Sequence, residues 1–208
     1  MQELINSIKQ LKISEISKVI DNRIEEFSCF KEASIEDIFI ELCFCIMTAN
    51  CGAVKCIEVH ELIGNDFLHL SESELVTAFK THGYRFPNLR ANYIIESRQL
   101  IKDLEDQLNH SINEQKLRDW LVKNIKGLGY KEASHFLRNI GFQNYAIIDF
   151  HVVDVLVKHD LIEKPKTLTN NKYLEIESVL KELGERLELN LAQLDLYLWY
   201  LETGKVLK

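Results

Sequence analysis

Apolar residues return at helical spacing along nearly the whole chain, and very little in it breaks a helix. Ile35, Ile38, Phe39, Leu42 and Ile46 trace one stripe at i, i+3, i+4 and i+7 intervals. Ala91, Ile94, Ile101, Leu104 and Leu108 trace a second, opened by Pro87, a residue suited to the first turn of a helix. Ala133, Phe136, Leu137 and Ile140 form a third, with Gly141 placed to cap it. Ile176, Val179, Leu180, Leu183 and Leu187 form a fourth; Leu191, Leu194, Leu198 and Leu201 form the last, ending at Thr203-Gly204. With two prolines, eight glycines and no convincing period-two alternation, the chain is expected to be all-α, about ten helices joined by short turns.

At 208 residues, 46% hydrophobic and 27% charged, this is an ordinary globular composition, sized for one compact unit or two small lobes. Apolar runs such as 38–47 are far shorter than the ~20 residues a membrane-spanning helix needs. The opening Met-Gln-Glu-Leu-Ile-Asn lacks the basic region and apolar core of a signal peptide, so a cytoplasmic protein without a membrane partner is expected. The Asn-rich stretch around 103–115 and the Lys164-Pro165-Lys166 turn are candidate surface connections.

The net charge of −7 argues by itself against a nucleic-acid partner, but its distribution does not. Residues 1–75 carry six basic and fourteen acidic side chains, whereas 80–102 and 116–138 are each net +4. Two basic stretches in an acidic chain suggest one anion-binding face; solvated helix faces are the plain alternative. All five cysteines, Cys29, Cys43, Cys45, Cys51 and Cys56, precede position 57. An odd number without a signal peptide argues against a disulfide framework. Cys43 and Cys45 fall in an apolar helical run, where cysteine packs as a small hydrophobe, so neither a metal nor a cofactor is expected.

The chemistry concentrates in Ile125-Lys-Gly-Leu-Gly-Tyr-Lys-Glu-Ala-Ser-His-Phe-Leu-Arg-Asn139. A helix over about 114–124 leads into Gly127-Leu128-Gly129, and a second helix follows. Two glycines around one aliphatic residue permit a tight turn with several N–H groups facing outward at a helix start, a nest for a backbone phosphate. Lys131 stands two residues past Gly129. Eighteen residues further on, Ile147-Ile148-Asp149-Phe150-His151-Val152 sets a carboxylate behind two β-branched residues and ahead of another helix.

Together these segments resemble the helix-hairpin-helix superfamily of DNA glycosylases, and are most similar to the archaeal-type 8-oxoguanine DNA glycosylase/AP lyase family. The resemblance covers essentially the whole chain, including Tyr84-Arg85-Phe86-Pro87-Asn88-Leu89-Arg90-Ala91 and Trp199 to Lys208. It implies a two-lobed helix-hairpin-helix fold without an iron–sulfur cluster. Residues 32–131 would form one lobe, ending in the hairpin, and 1–31 with 132–208 the other, with the active site in the cleft between them. It implies a monomer acting on damaged double-stranded DNA, nucleoid-associated in a prokaryote.

The same resemblance assigns roles. Lys131 would attack C1′ of a flipped-out nucleotide, and the resulting Schiff base would permit β-elimination of the 3′ phosphate. A lysine of pKa ~10.4 must lose its proton to do so. Asp149 would assist that loss and stabilise positive charge developing on the sugar; as a plain N-cap it would also suit its position. Gly127, Gly129, Lys126 and His151 would hold phosphates, although His151 also fits a core histidine and Lys131 a phosphate contact. Phe86, Trp199 and Lys208 would recognise the lesion. Asn50, in Thr48-Ala49-Asn50-Cys51, lies where the wedge that fills the vacated stack is placed, with Cys51 departing from the hydroxyl residue expected there. An endonuclease-III-like glycosylase for other damaged bases is the second enzyme reading; its relatives commonly carry a four-cysteine cluster loop near the C-terminus, and no cysteine follows Cys56. A non-catalytic helix-hairpin-helix DNA-binding module would need the glycine hairpin but not Lys131 with Asp149.

Overall fold

A computed structural model describes residues 1–110 and 113–208. Ser111 and Ile112, in the expected connection around 103–115, lie outside the described residues. In chain order the helices are α1 (Gln2–Lys12), α2 (Glu15–Cys29), α3 (Ile35–Thr48), α4 (Ala53–Ile63), α5 (Glu72–Thr81), α6 (Pro87–Arg98), α7 (Ile101–His110), α8 (Glu114–Asn124), α9 (Tyr130–Asn139), α10 (Phe150–Lys158), α11 (Asn170–Leu187) and α12 (Leu191–Thr203). No strand occurs among the described residues.

The count exceeds the ten expected because some breaks carry neither proline nor glycine. Ser14 caps α2 by accepting from the Ile16 amide. Gln99-Leu100 divides what reads in sequence as one stripe into α6 and α7. An apolar period persists across such a corner, because both helices press the same core.

The chain forms two compact units, Glu32–Phe136 and Met1–Lys31 with Leu137–Lys208. In the first, α3 is buried on every side from Leu42 to Thr48, as a helix apolar all round must be. α4, α6 and α7 pack on α3, and α5 pairs with α6. Arg98 ends α6 by donating to the Phe67 carbonyl at 2.6 Å and the Leu70 carbonyl at 2.8 Å. In the other unit, α12 packs on α2, α10 and α11, while α1 lies against α2 and α11. Arg138 is buried beside Asp195, which accepts from its Nη1, and donates twice to Asn139 Oδ1, with Phe27 under the guanidinium at 4.7 Å. A buried ion pair this well satisfied fixes one arrangement of α9 against α12 and α2.

The basic stretches are not two solvated faces. Arg90, Arg118 and Arg138 are buried, and Arg98 is committed to backbone carbonyls. Each uses a long apolar stem and a planar fork to tie interior carbonyls, amides or rings together, a use that counting charges along the sequence cannot see. Lys80, Arg85, Lys102, Lys116, Lys123 and Lys126 remain exposed, all in the Glu32–Phe136 unit.

Candidate active site

The hairpin joins α8 to α9. The Ile125 amide continues α8 by donating to the Leu121 carbonyl, and Leu128 turns inward, 5% exposed. Gly127 has φ +86°, and a Cβ there would stand 2.6 Å from the Tyr93 ring and 3.2 Å from Arg90 Nη1, so no other residue fits. Gly129 precedes α9, and its carbonyl accepts from the Ala133 amide. Its own N–H donates to Glu132 Oε2 at 3.2 Å, so a carboxylate of the same helix holds one of the amides the sequence offers to a phosphate. Arg118 clasps the two helices by donating to Ser134 Oγ and Gln115 Oε1 beneath the Tyr130 ring, whose hydroxyl donates to Asp119.

Lys131, second residue of α9, is 26% exposed along its side chain, and its Nζ lies 3.7 Å from Glu132 Oε1. Its ammonium and the Arg90 guanidinium both act on the Cys56 thiol, which burial and the neighbouring Cys51 thiol push far up and keep neutral. The Tyr84 phenol, also pushed up by burial, donates to the Met47 carbonyl at 2.7 Å. Glu132 is the sole ion-pair partner of Lys131 among the described residues.

The turn after α3 is held by two arginines. Arg90 Nη2 donates to the Ala49 carbonyl at 2.9 Å and Arg85 Nη1 to the Asn50 carbonyl at 3.3 Å. Asn50 is exposed at φ +59°, a left-handed conformation that asparagine tolerates better than most residues. Phe86, half-buried at the start of α6, lies under the Arg85 guanidinium at 4.9 Å. Lys126 is exposed and paired with Glu96 at 2.7 Å.

Asp149, His151, Trp199 and Lys208 belong to the other unit. The extended segment before Asp149 is fixed by α11: the Tyr173 hydroxyl donates to the Ala146 carbonyl and accepts from the Ile148 amide, and Glu177 accepts from the Ala146 amide. Asp149 then caps α10, Oδ1 accepting from the Val152 amide at 2.9 Å. Its second oxygen has no hydrogen-bond partner among the described residues. His151 is half-buried with no hydrogen bond among the described residues, its ring 5.0 Å from Trp199 and edge-on to it. Trp199 Nε1 is buried without a partner among the described residues. Lys208 is half-buried, whereas Leu201, the last residue of the final apolar stripe, is exposed. Sequence reasoning missed Tyr173, Glu132 and the carbonyl ties of Arg90 and Arg85; Glu132 three residues after Gly129 was a visible capping signal, and the others left none.

Cys43, Cys45 and Cys56 pack in the core, and among the described residues no three or more His, Cys, Asp or Glu side chains are grouped to hold a metal ion. No helix among the described residues is long and apolar enough to cross a membrane.

The profile of a family described as 8-oxoguanine DNA glycosylase matches residues 20–189. The chain belongs to the 8-oxoguanine DNA glycosylase family. A relative from Korarchaeum cryptofilum named 8-oxoguanine DNA glycosylase/AP lyase is 49% identical over 209 residues, covering 100% of this chain and 99% of that one. The crystal structure of the Methanocaldococcus jannaschii 8-oxoguanine glycosylase/lyase in complex with a 15mer DNA containing 8-oxoguanine matches with a TM-score of 0.96 at 50% identity, covering 99% of this chain and 100% of that chain. The 8-oxoguanine DNA glycosylase of Thermotoga maritima matches with a TM-score of 0.93 at 39% identity, covering 100% of this chain and 99% of that one. The family's all-helical fold is therefore this chain's fold, from end to end.

Proposed function

We propose that this protein is a bifunctional repair enzyme that excises 8-oxoguanine from duplex DNA and then cleaves the abasic site by β-elimination. What supports the reading is that a chain of this family carries both a hairpin-borne lysine, Lys131 on α9, and a helix-capping carboxylate, Asp149. A DNA-binding module needs the hairpin alone.

Lys131 is the nucleophile. Its neutral amine attacks C1′ of a flipped-out nucleotide, the C1′–N9 bond breaks, and the base leaves with that electron pair and takes up a proton; the C1′–O4′ bond then opens, O4′ taking a proton from the bound amine, to leave the Schiff base at C1′. The Schiff base then acidifies C2′; loss of a proton there expels the 3′ phosphate. Asp149 accepts the ammonium proton and passes it to the departing base, and the carboxylate so restored stabilises positive charge on the sugar, held by the Val152 amide. Gly127, Gly129, Lys126 and His151 bind backbone phosphate, which must draw the Gly129 amide from Glu132 and Lys126 from Glu96. Phe86, Trp199 and Lys208 recognise the lesion, Trp199 bringing a donor that has no partner among the described residues. Asn50 fills the vacated stack, and the protein acts as a monomer.

The test is single-turnover cleavage of duplexes holding 8-oxoguanine, thymine glycol or undamaged guanine. The proposal expects base release and strand scission on the first and neither on the last. Preference for thymine glycol would favour the endonuclease-III-like reading; binding without base release would favour the module.

A further inference from the structure

Phe150 is the only exposed phenylalanine of the ten, 68% accessible at the first position of α10. Among the described residues it is also the one aromatic ring in the set of exposed large apolar side chains. Surface apolar residues scattered singly are ordinary, but this ring heads a contiguous run of aromatic side chains. Its ring lies 3.9 Å from that of His151, which in turn meets Trp199 edge-on, so the three rings form one short run beginning at solvent. Asp149 is the preceding residue, so the ring starts one Cα–Cα step, about 3.8 Å, from the residue assigned to the sugar.

We propose that Phe150 contacts DNA: its ring packs on the deoxyribose and base of the nucleotide beside the lesion on the damaged strand. This rests on the glycosylase reading and deepens it. Flipping one nucleotide out removes a stacking partner from its neighbour and leaves an apolar base face in water. An aromatic side chain covers such a face whatever the base, because every base has a π-face. Aspartate can supply no such surface, and His151 is already turned toward Trp199. Phe150 is then a binding residue that holds the distorted strand while Asp149 is at the sugar. As an uncharged contact it releases no counterions.

The probe is a duplex carrying a tetrahydrofuran abasic analogue, with 2-aminopurine as the neighbouring base. Phe150→Ala is expected to bind it about tenfold more weakly than wild type, with the same melting temperature and the same salt slope; Phe150→Trp is expected to bind as wild type does. The 2-aminopurine emission should be more strongly quenched by wild type than by Phe150→Leu, both at saturation. Equal affinity for wild type and Phe150→Ala, or equal quenching by wild type and Phe150→Leu, would overturn the proposal. Should Phe150→Ala prove less stable, the quenching comparison decides. Borohydride trapping on a preformed abasic site separates the two failures: an adduct with wild type leaves the glycosylase reading standing even if Phe150 is silent, and no adduct overturns both.

Discussion

The Tyr173 hydroxyl accepts a hydrogen bond from the Ile148 amide at 3.1 Å while donating to the Ala146 carbonyl at 2.7 Å. One phenol thereby substitutes for the missing sheet partner of the buried segment that delivers Asp149. Tyr173→Phe would leave a buried amide and carbonyl unsatisfied, at a cost of about 1–3 kcal/mol. The expected outcome is a lowered melting temperature together with slower base excision, since Asp149 would lose its anchor. Thermal unfolding and single-turnover excision on the same preparation check it; slower unfolding-independent excision in a variant of unchanged stability would show that the hydroxyl has a different role.

Asp149 combines a cap with a charge, and two substitutions separate them. Asp149→Asn keeps an oxygen for the Val152 amide and removes the charge; excision should fall at least ~100-fold with little change in stability, the scale of a positioned acid–base group. Asp149→Ala should lose the same activity and a further ~1 kcal/mol of stability through the missing cap. Full activity in Asp149→Asn would reduce the residue to its capping role.

Charges on one stretch of sequence should behave differently according to burial. Arg85→Ala and Lys123→Ala, both exposed, should each lower the slope of log affinity against log salt by about one unit if they meet phosphates. Arg90→Ala should instead cost more than about 2 kcal/mol of stability, because its stem and guanidinium fill the core between Ala49, Phe86 and Tyr93. Salt titrations beside denaturant melts distinguish these outcomes, and a stable Arg90→Ala protein with a reduced slope would restore Arg90 to the DNA-binding surface.

Lys208 is assigned to lesion recognition rather than to C–N or C–O bond breaking. Lys208→Ala should therefore slow 8-oxoguanine excision by about tenfold or more, as loss of a required polar contact does, while cleavage of a preformed abasic site continues. Equal loss of both activities would indicate damaged packing.

The helices, the glycine hairpin and the Asp149 cap were legible because each is written in neighbouring residues: a 3.6-residue period, Gly127 and Gly129, an aspartate ahead of Phe150-His151-Val152. The corner at Gln99-Leu100 was not, since an apolar stripe continues through it. Nor was the fate of the arginines. Arg90, Arg98, Arg118 and Arg138 are spent on interior carbonyls, amides, rings and one carboxylate supplied by distant segments, so their positive charge reads as surface until tertiary partners are known. Tyr173 was invisible for the same reason: it serves residues 25 and 27 positions away. Lys131 and Asp149 stood out through family resemblance; the contact of Lys131 with Glu132 emerged only from the structure.

The central claim is that Lys131 forms the covalent intermediate. Sodium borohydride reduction during reaction with an 8-oxoguanine duplex, followed by peptide mapping of the adduct, tests it directly. The account predicts one cross-linked peptide containing residues 130–138 with the DNA remnant on Lys131, and no adduct from Lys131→Gln, which still binds the duplex. An adduct on another lysine, or trapping of Lys131→Gln at the wild-type yield, would contradict it.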